Sequence, residues 1–481
     1  MTKNKSDKVT VEVLGGNCED VTGSCTQITF NKRTVLFECG MIQSGHTPLE
    51  NYQLNKRLLS KIKHKDKIEY VFAGHCHADH IALIPALYKN GFNGITVVPY
   101  KSTAILREMW LDSAHINQRD AELISMKRDK SVEPLYDEED VEVALQHIKE
   151  YKSNEMVQID EQISIRFISA GHILLSQQME LYVSPRTNLT KKILFTSDLG
   201  NLNIENQKFY VDKFIPVYKA NLVIGECTYS EKGRGSTKKD VVKDIEKIKT
   251  VIDQYCVDRH KRVLCPTFSL DRTFQFLSIL YDLFSSDENF KVPIVVDSPL
   301  SNHLLDVYGN ILEDENKERF DQIMSWANIR RIISTEDSKT FVASKESAVI
   351  LASSGMCTGG RVLKYLQEIM KNPEDCILFT GFSTEGTLAY KIKNTTQRYI
   401  SVNGKPVPNK CQIVSISSLS SHMQREDLLK YYGGIHTEKI CLVHSNMKGR
   451  LEFSEDLKER REKNLMSGKV VCATRDMKIN L

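Results

Sequence analysis

The sequence lacks the features that mark several classes of protein. None of its 12 cysteines forms a C-x-x-C pair, and many lie inside apolar runs, so we predict buried, reduced thiols. No stretch reaches the length of a membrane span, and no apolar segment of the kind found in secretion signals follows the hydrophilic start MTKNKSDK. These absences predict a cytoplasmic protein without membrane contact.

An excess of charge of one sign is also missing. The formal net charge is only +3 over 481 residues, so nothing global indicates a polyanionic partner, and nucleic-acid binding would need a local groove. Fixed-period repeats and low-complexity tracts are absent as well. Apolar residues at 41% and charged residues at 26% are typical of a globular protein, and the length predicts two domains.

Two patterns follow each other along the chain. Up to about residue 70, short β-type runs such as VTVEVLG and RTVLFECG are broken by glycines. Beyond about residue 230, strand-then-helix units alternate, as in RVLCPTFS followed by DRTFQFLSILYDLF. Such alternation predicts an α/β fold with a mainly parallel sheet flanked by helices, in which loops at the carboxyl ends of strands build the site.

The segment HCHADH contains the residues with the most specific chemistry: His75, His77, Asp79 and His80. The first three alternate on what we expect to be an extended segment, and His80 follows at the turn. Imidazole and carboxylate are the ligands that zinc takes at catalytic sites, and one segment of this size can serve two ions. A chance run of polar residues or a single structural metal site would be the alternatives.

The spacing H-x-H-x-D-H resembles the signature of the metallo-β-lactamase superfamily. This resemblance implies a further histidine ligand after a strand, matched by His172 in ISAGH. It also implies a bridging aspartate at a strand end, matched by Asp198 in LFTSD.

The middle of the chain resembles the β-CASP branch of that superfamily, whose members hydrolyse nucleic acids. Glu226 in GECTY, His422 in SSHMQ and His444 in CLVHS match its three additional motifs. DNA-processing members usually have Val at the third motif, so His444 points to RNA. The resemblance implies a metallo-β-lactamase αββα sandwich over residues 1–229 and 401–481, with an inserted β-CASP domain over residues 230–400.

The resemblance also implies roles for these residues, with two Zn²⁺ per chain. One zinc would be held by His75, His77 and His172, and the other by Asp79, His80 and His444, with Asp198 bridging. His422 would act as the general acid, oriented by Glu226. We therefore expect a zinc-dependent ribonuclease that cuts single-stranded RNA, internally or from the 5′ end, and leaves 5′-phosphate and 3′-hydroxyl ends.

The glycine-rich segment SGMCTGGR is a candidate phosphate contact. There a strand ends before a helix, so backbone N–H groups can approach an anion closely. The glycines would equally suit a tight turn alone. The expected contacts are Ser354, Gly355, Gly359, Gly360 and Arg361, together with Arg272 in the look-alike segment PTFSLDR.

Three departures from the β-CASP pattern bear on activity. Glu38 stands where an aspartate that supports the ligands is usual, Met423-Gln424 replaces Ala-Asp, and Ser445-Asn446 replaces Gly-Glu. An inactive scaffold subunit and a small-ester hydrolase are the alternative functions. Homodimerisation or protein partners are expected to set specificity.

Overall fold

The chain forms two compact units that interleave in sequence. The computed structural model describes residues 8–16, 21–44, 47–186, 188–233, 235–463, 465–474 and 477–481. Unit 1 comprises residues 1–202, 211–235 and 421–481, and unit 2 comprises residues 203–210 and 236–420.

Unit 1 is built on two seven-stranded sheets. The strands, numbered in chain order, follow each other in the first sheet as β22 (Lys478–Asn480), β1 (Thr10–Gly15), β2 (Cys25–Phe30), β3 (Arg33–Phe37), β4 (Ile68–Phe72), β5 (Ile95–Pro99) and β6 (Ile148–Tyr151). The order in the second sheet is β21 (Lys469–Cys472), β20 (Lys439–Val443), β11 (Leu222–Glu226), β10 (Leu189–Phe195), β9 (Gln177–Arg186), β8 (Ile163–Ser169) and β7 (Val157–Gln158).

The two sheets pack face to face around one hydrophobic core. Alternating apolar residues of β8, such as Ile163 and Ile165, are buried in the same cluster as Val11 of β1, as the period of two in a strand requires. The rings of Phe37 and Phe195 stack across the sheets with centroids 4.1 Å apart. This sandwich positions the strand ends that build the site.

Helices cover the outer faces of the sandwich. Buried apolar residues of the last two helices, including Leu428 and Phe453, share a cluster with Val223 of β11, and the fourth helix contacts β5 and β6. The helices of unit 1 are α1 (Pro48–Lys61), α2 (Ala78–Ile81), α3 (Ile84–Lys89), α4 (Ser102–Arg128), α5 (Glu138–Leu145), α13 (Arg425–Gly434) and α14 (Met447–Glu462). No helix among the described residues is long and apolar enough to cross a membrane.

Unit 2 contains a six-stranded sheet in which every paired strand is parallel. Its order is β14 (Ile329–Arg331), β13 (Ile294–Val296), β15 (Val349–Ala352), β12 (Val263–Pro266), β16 (Cys376–Phe379) and β19 (Gln412–Ser415), beside a hairpin of β17 (Tyr399–Val402) and β18 (Lys405–Pro408). The helices are α6 (Lys238–Ile252), α7 (Arg272–Phe284), α8 (Pro299–Ile311), α9 (Asp314–Met324), α10 (Thr335–Ser344), α11 (Val362–Ile369) and α12 (Leu388–Asn394). The predicted fold class is confirmed.

The limits of the units differ from the domain boundaries expected at 229/230 and 400/401. Residues 401–420 belong to unit 2, because β19 pairs in parallel with β16 and completes the sheet. The strand signal CQIVSIS was visible in the sequence, but its pairing partner was not.

Candidate metal and catalytic site

The HCHADH segment of unit 1 leaves the carboxyl end of β4 and turns into a helix. His75 and His77 lie between β4 and α2, while Asp79 and His80 fall in the first turn of α2. Asp79 therefore does not continue the extended alternation expected from the sequence. The helical turn directs Asp79 and His80 toward a second group of ligands, whereas His77 belongs to the first group.

The other candidate ligands in unit 1 also follow strands. His172 comes after β8, Asp198 after β10 and His444 after β20. Since β9 is antiparallel to both β8 and β10, and β10, β11 and β20 pair in parallel, the carboxyl ends of β8, β10 and β20 meet at one edge of the sheet. This pairing brings Asp198 and His444 together, although they are more than 200 positions apart in the sequence.

The first ligand group has the spacing of a tetrahedral metal site. His77 Nδ1 lies 3.1 Å from His75 Nε2 and 3.4 Å from His172 Nε2. Asp198 Oδ2 lies 3.5 Å from His75 Nε2 and 3.5 Å from His172 Nε2. Tetrahedral ligands at zinc-ligand distances are separated by about 3.4 Å, so these four side chains can hold one ion.

The second ligand group lies on the other side of Asp198. His444 Nε2 is 3.2 Å from Asp79 Oδ2, and His80 Nε2 is 3.9 Å from that oxygen. Asp198 Oδ1 lies 3.4 Å from His80 Nε2. The side chains of Asp79, His80 and His444 can hold an ion, and the two carboxylate oxygens of Asp198 point to different groups.

Two enclosed atoms make the strongest case for a cation. Among the described residues, the buried His80 Nε2 and Asp198 Oδ1 have no hydrogen-bond partner. Buried polar atoms are costly unless they are paired. A metal ion between a nitrogen lone pair and a carboxylate oxygen would satisfy both atoms, so the residues present fit a metal centre.

Hydrogen bonds to Nδ1 orient two of the histidines, His75 and His444. Ser197 Oγ donates to Glu38 Oε1 at 2.8 Å, so it accepts from His75 Nδ1 at 2.8 Å. Thr228 Oγ1 donates to the His444 carbonyl oxygen and therefore accepts from His444 Nδ1 at 3.0 Å. In both rings Nδ1 carries the proton and the lone pair of Nε2 faces the site, as metal-binding imidazoles require.

Glu38 supports both ligand groups. Its Oε2 lies 2.7 Å from His80 Nδ1 and accepts a bond of 2.6 Å from Ser24, while Oε1 reaches His75 through Ser197. Burial alone would raise the pKa of this carboxyl, but the neighbouring His80 outweighs burial, and the pKa is lowered. The carboxylate expected to support the ligands therefore does so with the longer side chain.

The protonation states differ between the histidines. Burial lowers the pKa of His77 to about 3 and also lowers the pKa of His75 and His172, so these rings are neutral and can donate lone pairs. Burial opposes charge on His80 and His444 too, but the nearby carboxylates, Asp198 among them, raise both pKa values. The carboxylates thus favour positive charge here, which a metal ion would also supply.

His422 lies at the edge of the ligand groups. Its Nδ1 is 3.7 Å from Glu226 Oε1 and 3.9 Å from Asp198 Oδ2, beyond direct hydrogen bonding. Glu226 instead accepts backbone N–H groups of Leu199 at 3.1 Å and Thr228 at 2.7 Å. The His422 side chain is 21% exposed, whereas that of His75 is 0% exposed, so a substrate can reach His422.

The replaced motif residues have structural contacts. Met423 is buried in the hydrophobic cluster beneath α13, and Gln424 Nε2 donates to the His422 carbonyl oxygen. Ser445 Oγ bonds Ser230 Oγ at 2.8 Å, and the Asn446 side chain caps α14. These residues therefore hold the loops of His422 and His444 in place.

The candidate phosphate contacts all lie in unit 2. Gly360 has φ +79°, and a Cβ there would lie 2.4 Å from the Ser353 carbonyl oxygen, so the turn itself requires glycine. Arg361 donates to Asp297 at 2.6 Å and to two backbone carbonyls. Arg272 donates to Gln275 and to a backbone carbonyl. This geometry supports structural roles for both arginines.

Sequence reasoning missed the hydroxyl groups that orient the ligands. Ser24 donates to Glu38, and Ser197 and Thr228 each take part in two of the bonds described above. Ser197 directly precedes Asp198, and Thr228 lies two residues after Glu226 in GECTY, which is the one signal that could have found them. Ser24 has no such signal, because its approach to Glu38 depends on the pairing of β2 with β3.

Comparisons with known proteins agree with this geometry. Residues 273–392 match the family model of the Beta-Casp domain, and residues 406–467 match that of the Zn-dependent metallo-hydrolase RNA specificity domain. A ribonuclease of Thermus thermophilus is 26% identical over 440 residues, covering 89% of this chain and 91% of the relative. An RNase J-like protein of Methanocaldococcus jannaschii is 26% identical over 447 residues, covering 91% and 93%.

A eukaryotic relative and a solved structure extend the likeness. The endoribonuclease YSH1 of Eremothecium gossypii is 25% identical over 475 residues, covering 94% of this chain and 57% of the relative. The crystal structure of a protein of unknown function from Enterococcus faecalis has a TM-score of 0.54 and 13% identity, covering 98% of this chain and 100% of that one. The latter likeness supports the fold alone.

Fold and site together define a hydrolase of the metallo-β-lactamase fold. Within that class, the two domain matches and the ribonucleases among the relatives support the β-CASP family of RNA nucleases.

Proposed function

We propose that this protein is a zinc-dependent ribonuclease that hydrolyses phosphodiester bonds of single-stranded RNA. The observation that carries the proposal is the position of Asp198. Its two carboxylate oxygens lie 3.4–3.5 Å from histidine nitrogens of two separate ligand groups. This arrangement suits two ions and a bridging carboxylate, and the RNA-processing names of the relatives favour RNA as the substrate.

In this proposal each side chain has a defined task. One zinc would be held by His75, His77 and His172 and the other by Asp79, His80 and His444, and Asp198 would supply one oxygen to each. Zinc at such a site lowers the pKa of water to near 7 and neutralises charge on phosphoryl oxygens.

In the hydrolysis, an oxygen from water forms a bond to phosphorus as the bond between phosphorus and the 3′ oxygen breaks. His422 donates a proton to the leaving 3′ oxygen, which yields a 3′-hydroxyl and a 5′-phosphate end. Glu226 is held by the backbone N–H groups of Leu199 and Thr228, and its Oε1 lies 3.7 Å from His422 Nδ1, so it orients this ring. Cleavage occurs internally or from the 5′ end. The proposal includes action in the cytoplasm and specificity set by homodimerisation or protein partners.

One experiment tests the metal centre and the substrate together. Labelled single-stranded RNA, single-stranded DNA and a small ester are offered to the wild type, Asp198→Ala and His422→Ala, with zinc measured by elemental analysis. We expect RNA cleavage by the wild type, and a loss of zinc with at least about a thousandfold slower cleavage for Asp198→Ala. His422→Ala should retain zinc and slow cleavage by about 10²–10⁴.

Other outcomes would contradict parts of the proposal. Turnover of the ester alone would make the protein a small-ester hydrolase, and no turnover of any substrate would favour a scaffold role. Asp198→Ala with full zinc and normal cleavage would exclude the bridging role. Loss of zinc from His422→Ala would make His422 a ligand or a structural residue.

A further inference from the structure

Two phenylalanines of unit 2 are half exposed at the same edge of the parallel sheet. Phe268 follows β12 and is 46% exposed, while Phe382 follows β16 and is 50% exposed. Since β12 and β16 are neighbouring parallel strands, the loops after them leave the sheet on the same side. Apolar side chains that are exposed together mark interaction sites, so two half-exposed rings in adjacent loops indicate a binding surface.

A third loop contacts the Phe268 ring and is hydrogen-bonded to the segment that follows Phe382. Gly355, in the loop after β15, lies so close to Phe268 that an added Cβ would be 3.1 Å from the ring, so the ring packs on glycine backbone. The next residue, Met356, accepts the backbone N–H of Thr384 on its sulfur at 3.5 Å and that of Ala389 on its carbonyl oxygen at 3.1 Å. The loops of Phe268 and Phe382 are thus both tied to the segment 353–361.

The surroundings of the two rings suit a nucleic acid better than a protein. Hydroxyl groups, including those of Ser354 and Thr358, and glycines line the connecting loop, and a Cβ at Gly359 or Gly381 would meet open space. Protein interfaces have an apolar core of contiguous side chains. Of the other exposed large apolar residues described in unit 2, Val242, Val257 and Tyr399 lie on other elements. Ile333 follows β14 at the same edge of the sheet, and its carbonyl oxygen accepts from Arg361 of this segment.

We infer that Phe268 and Phe382 form a stacking surface for the bases of single-stranded RNA. Every base has a π-face, so two half-exposed aromatic rings at strand-end loops bind unpaired bases without reading their sequence. The inference deepens the proposed function and rests on it for the identity of the nucleic acid. It assigns to unit 2 a contact with bases that is separate from the phosphate chemistry of unit 1.

The test measures binding apart from cleavage. A fluorescent single-stranded 2′-O-methyl phosphorothioate oligonucleotide is titrated against the zinc-loaded full-length chain, and anisotropy gives the Kd. We expect Phe268→Ala and Phe382→Ala each to weaken binding about tenfold. Phe268→Tyr and Phe382→Tyr should retain affinity because they keep the ring. Tyr399→Ala, which removes an exposed ring from the hairpin of unit 2, is the matched control and should leave Kd unchanged.

An abasic probe with the same backbone separates stacking from other effects. We expect the alanine variants and the wild type to bind this probe equally. The inference is overturned if the alanine variants bind the base-containing probe like the wild type, or if they lose as much affinity for the abasic probe. If the alanine variants bind the base-containing probe like the wild type, the surface would instead suit a protein partner.

The two proposals fail in distinguishable ways. Zinc-dependent RNA cleavage with no dependence of Kd on the two rings would reject the stacking surface alone. Ring-dependent binding without cleavage would reject the nuclease alone. Unchanged zinc content and melting temperature of the alanine variants show that a loss of affinity does not come from unfolding.

Discussion

At the scale of single residues, the length of the carboxylate at position 38 decides what it can support. The Glu38 side chain contacts Ser24, Ser197 and His80 at once, and through Ser197 it also orients His75. One carboxylate therefore fixes one histidine from each ligand group. The departure from the family pattern is compatible with an intact site, because Ser24 and Ser197 supply donors to both oxygens.

We predict that Glu38→Gln weakens zinc binding by about 10–100-fold, the usual cost of losing a hydrogen bond behind a metal ligand. The amide cannot accept bonds at both ends from His80 and Ser197. Glu38→Asp should also weaken binding, because the shorter side chain cannot reach both partners. Competition with a chromophoric chelator measures the affinity. Glu246→Gln, the same substitution on the exposed face of α6, is the control, and equal affinities in all three variants would exclude this role.

At the scale of elements, a buried ion pair joins the beginnings of two strands in unit 2. Arg262, just before β12, donates from its backbone nitrogen and its guanidinium to Asp375, just before β16, at 2.7–3.2 Å. Arg262 is 4% exposed and Asp375 is 1% exposed. The pair thus aligns two parallel strands whose other ends lead into the loops of Phe268 and Phe382.

We predict that Asp375→Ala lowers the free energy of unfolding by about 3–5 kcal/mol, because it leaves the Arg262 charge buried without its partner. Removal of the partly exposed Glu368, which pairs with Lys371, should cost less than about 1 kcal/mol. Urea unfolding followed by circular dichroism measures both. The double variant Arg262→Ala/Asp375→Ala should be less destabilised than the sum of the single variants; simple additivity would count against the pair.

At the scale of the whole molecule, the candidate metal ligands come from parts of the chain on both sides of unit 2. The ligands from His75 to Asp198 precede unit 2 in sequence, whereas His444 follows it, and all of them lie in unit 1. A ligand that binds only the folded site stabilises the fold by mass action. Metal binding should therefore stabilise unit 1 as well as supply its chemistry.

We predict that removal of zinc with a chelator lowers the melting temperature by about 5 °C or more, and that added Zn²⁺ restores it. Without zinc, the buried carboxylates lack a neutralising cation and the histidine nitrogens lack the ion that they would bind. Mg²⁺ should restore less, because it prefers oxygen ligands. Differential scanning calorimetry measures the shift, and Asp198→Ala, which lacks the shared ligand, should not respond to zinc. An identical melting temperature with and without zinc in the wild type would contradict the prediction.

The sequence by itself determined the α/β class, the strand-helix alternation of unit 2 and the local cluster at His75–His80. These features depend on residues close together in the chain, where the periods of strands and helices and the spacing of ligands can be seen directly. Resemblance to the β-CASP family added His172, Asp198, Glu226, His422 and His444, which the structure then brings to one end of the sandwich.

Only the tertiary structure decided the contacts that depend on partners far away in sequence. In the structure, residues 401–420 belong to unit 2, and Arg361 donates a hydrogen bond to Asp297. Glu38 contacts His80 directly and His75 through Ser197, so it reaches both ligand groups. It also left Phe268 and Phe382 exposed, although both follow apolar strands. Whether such a side chain is buried, paired or available to a ligand depends on which strands become neighbours, and composition and periodicity carry no information about that pairing.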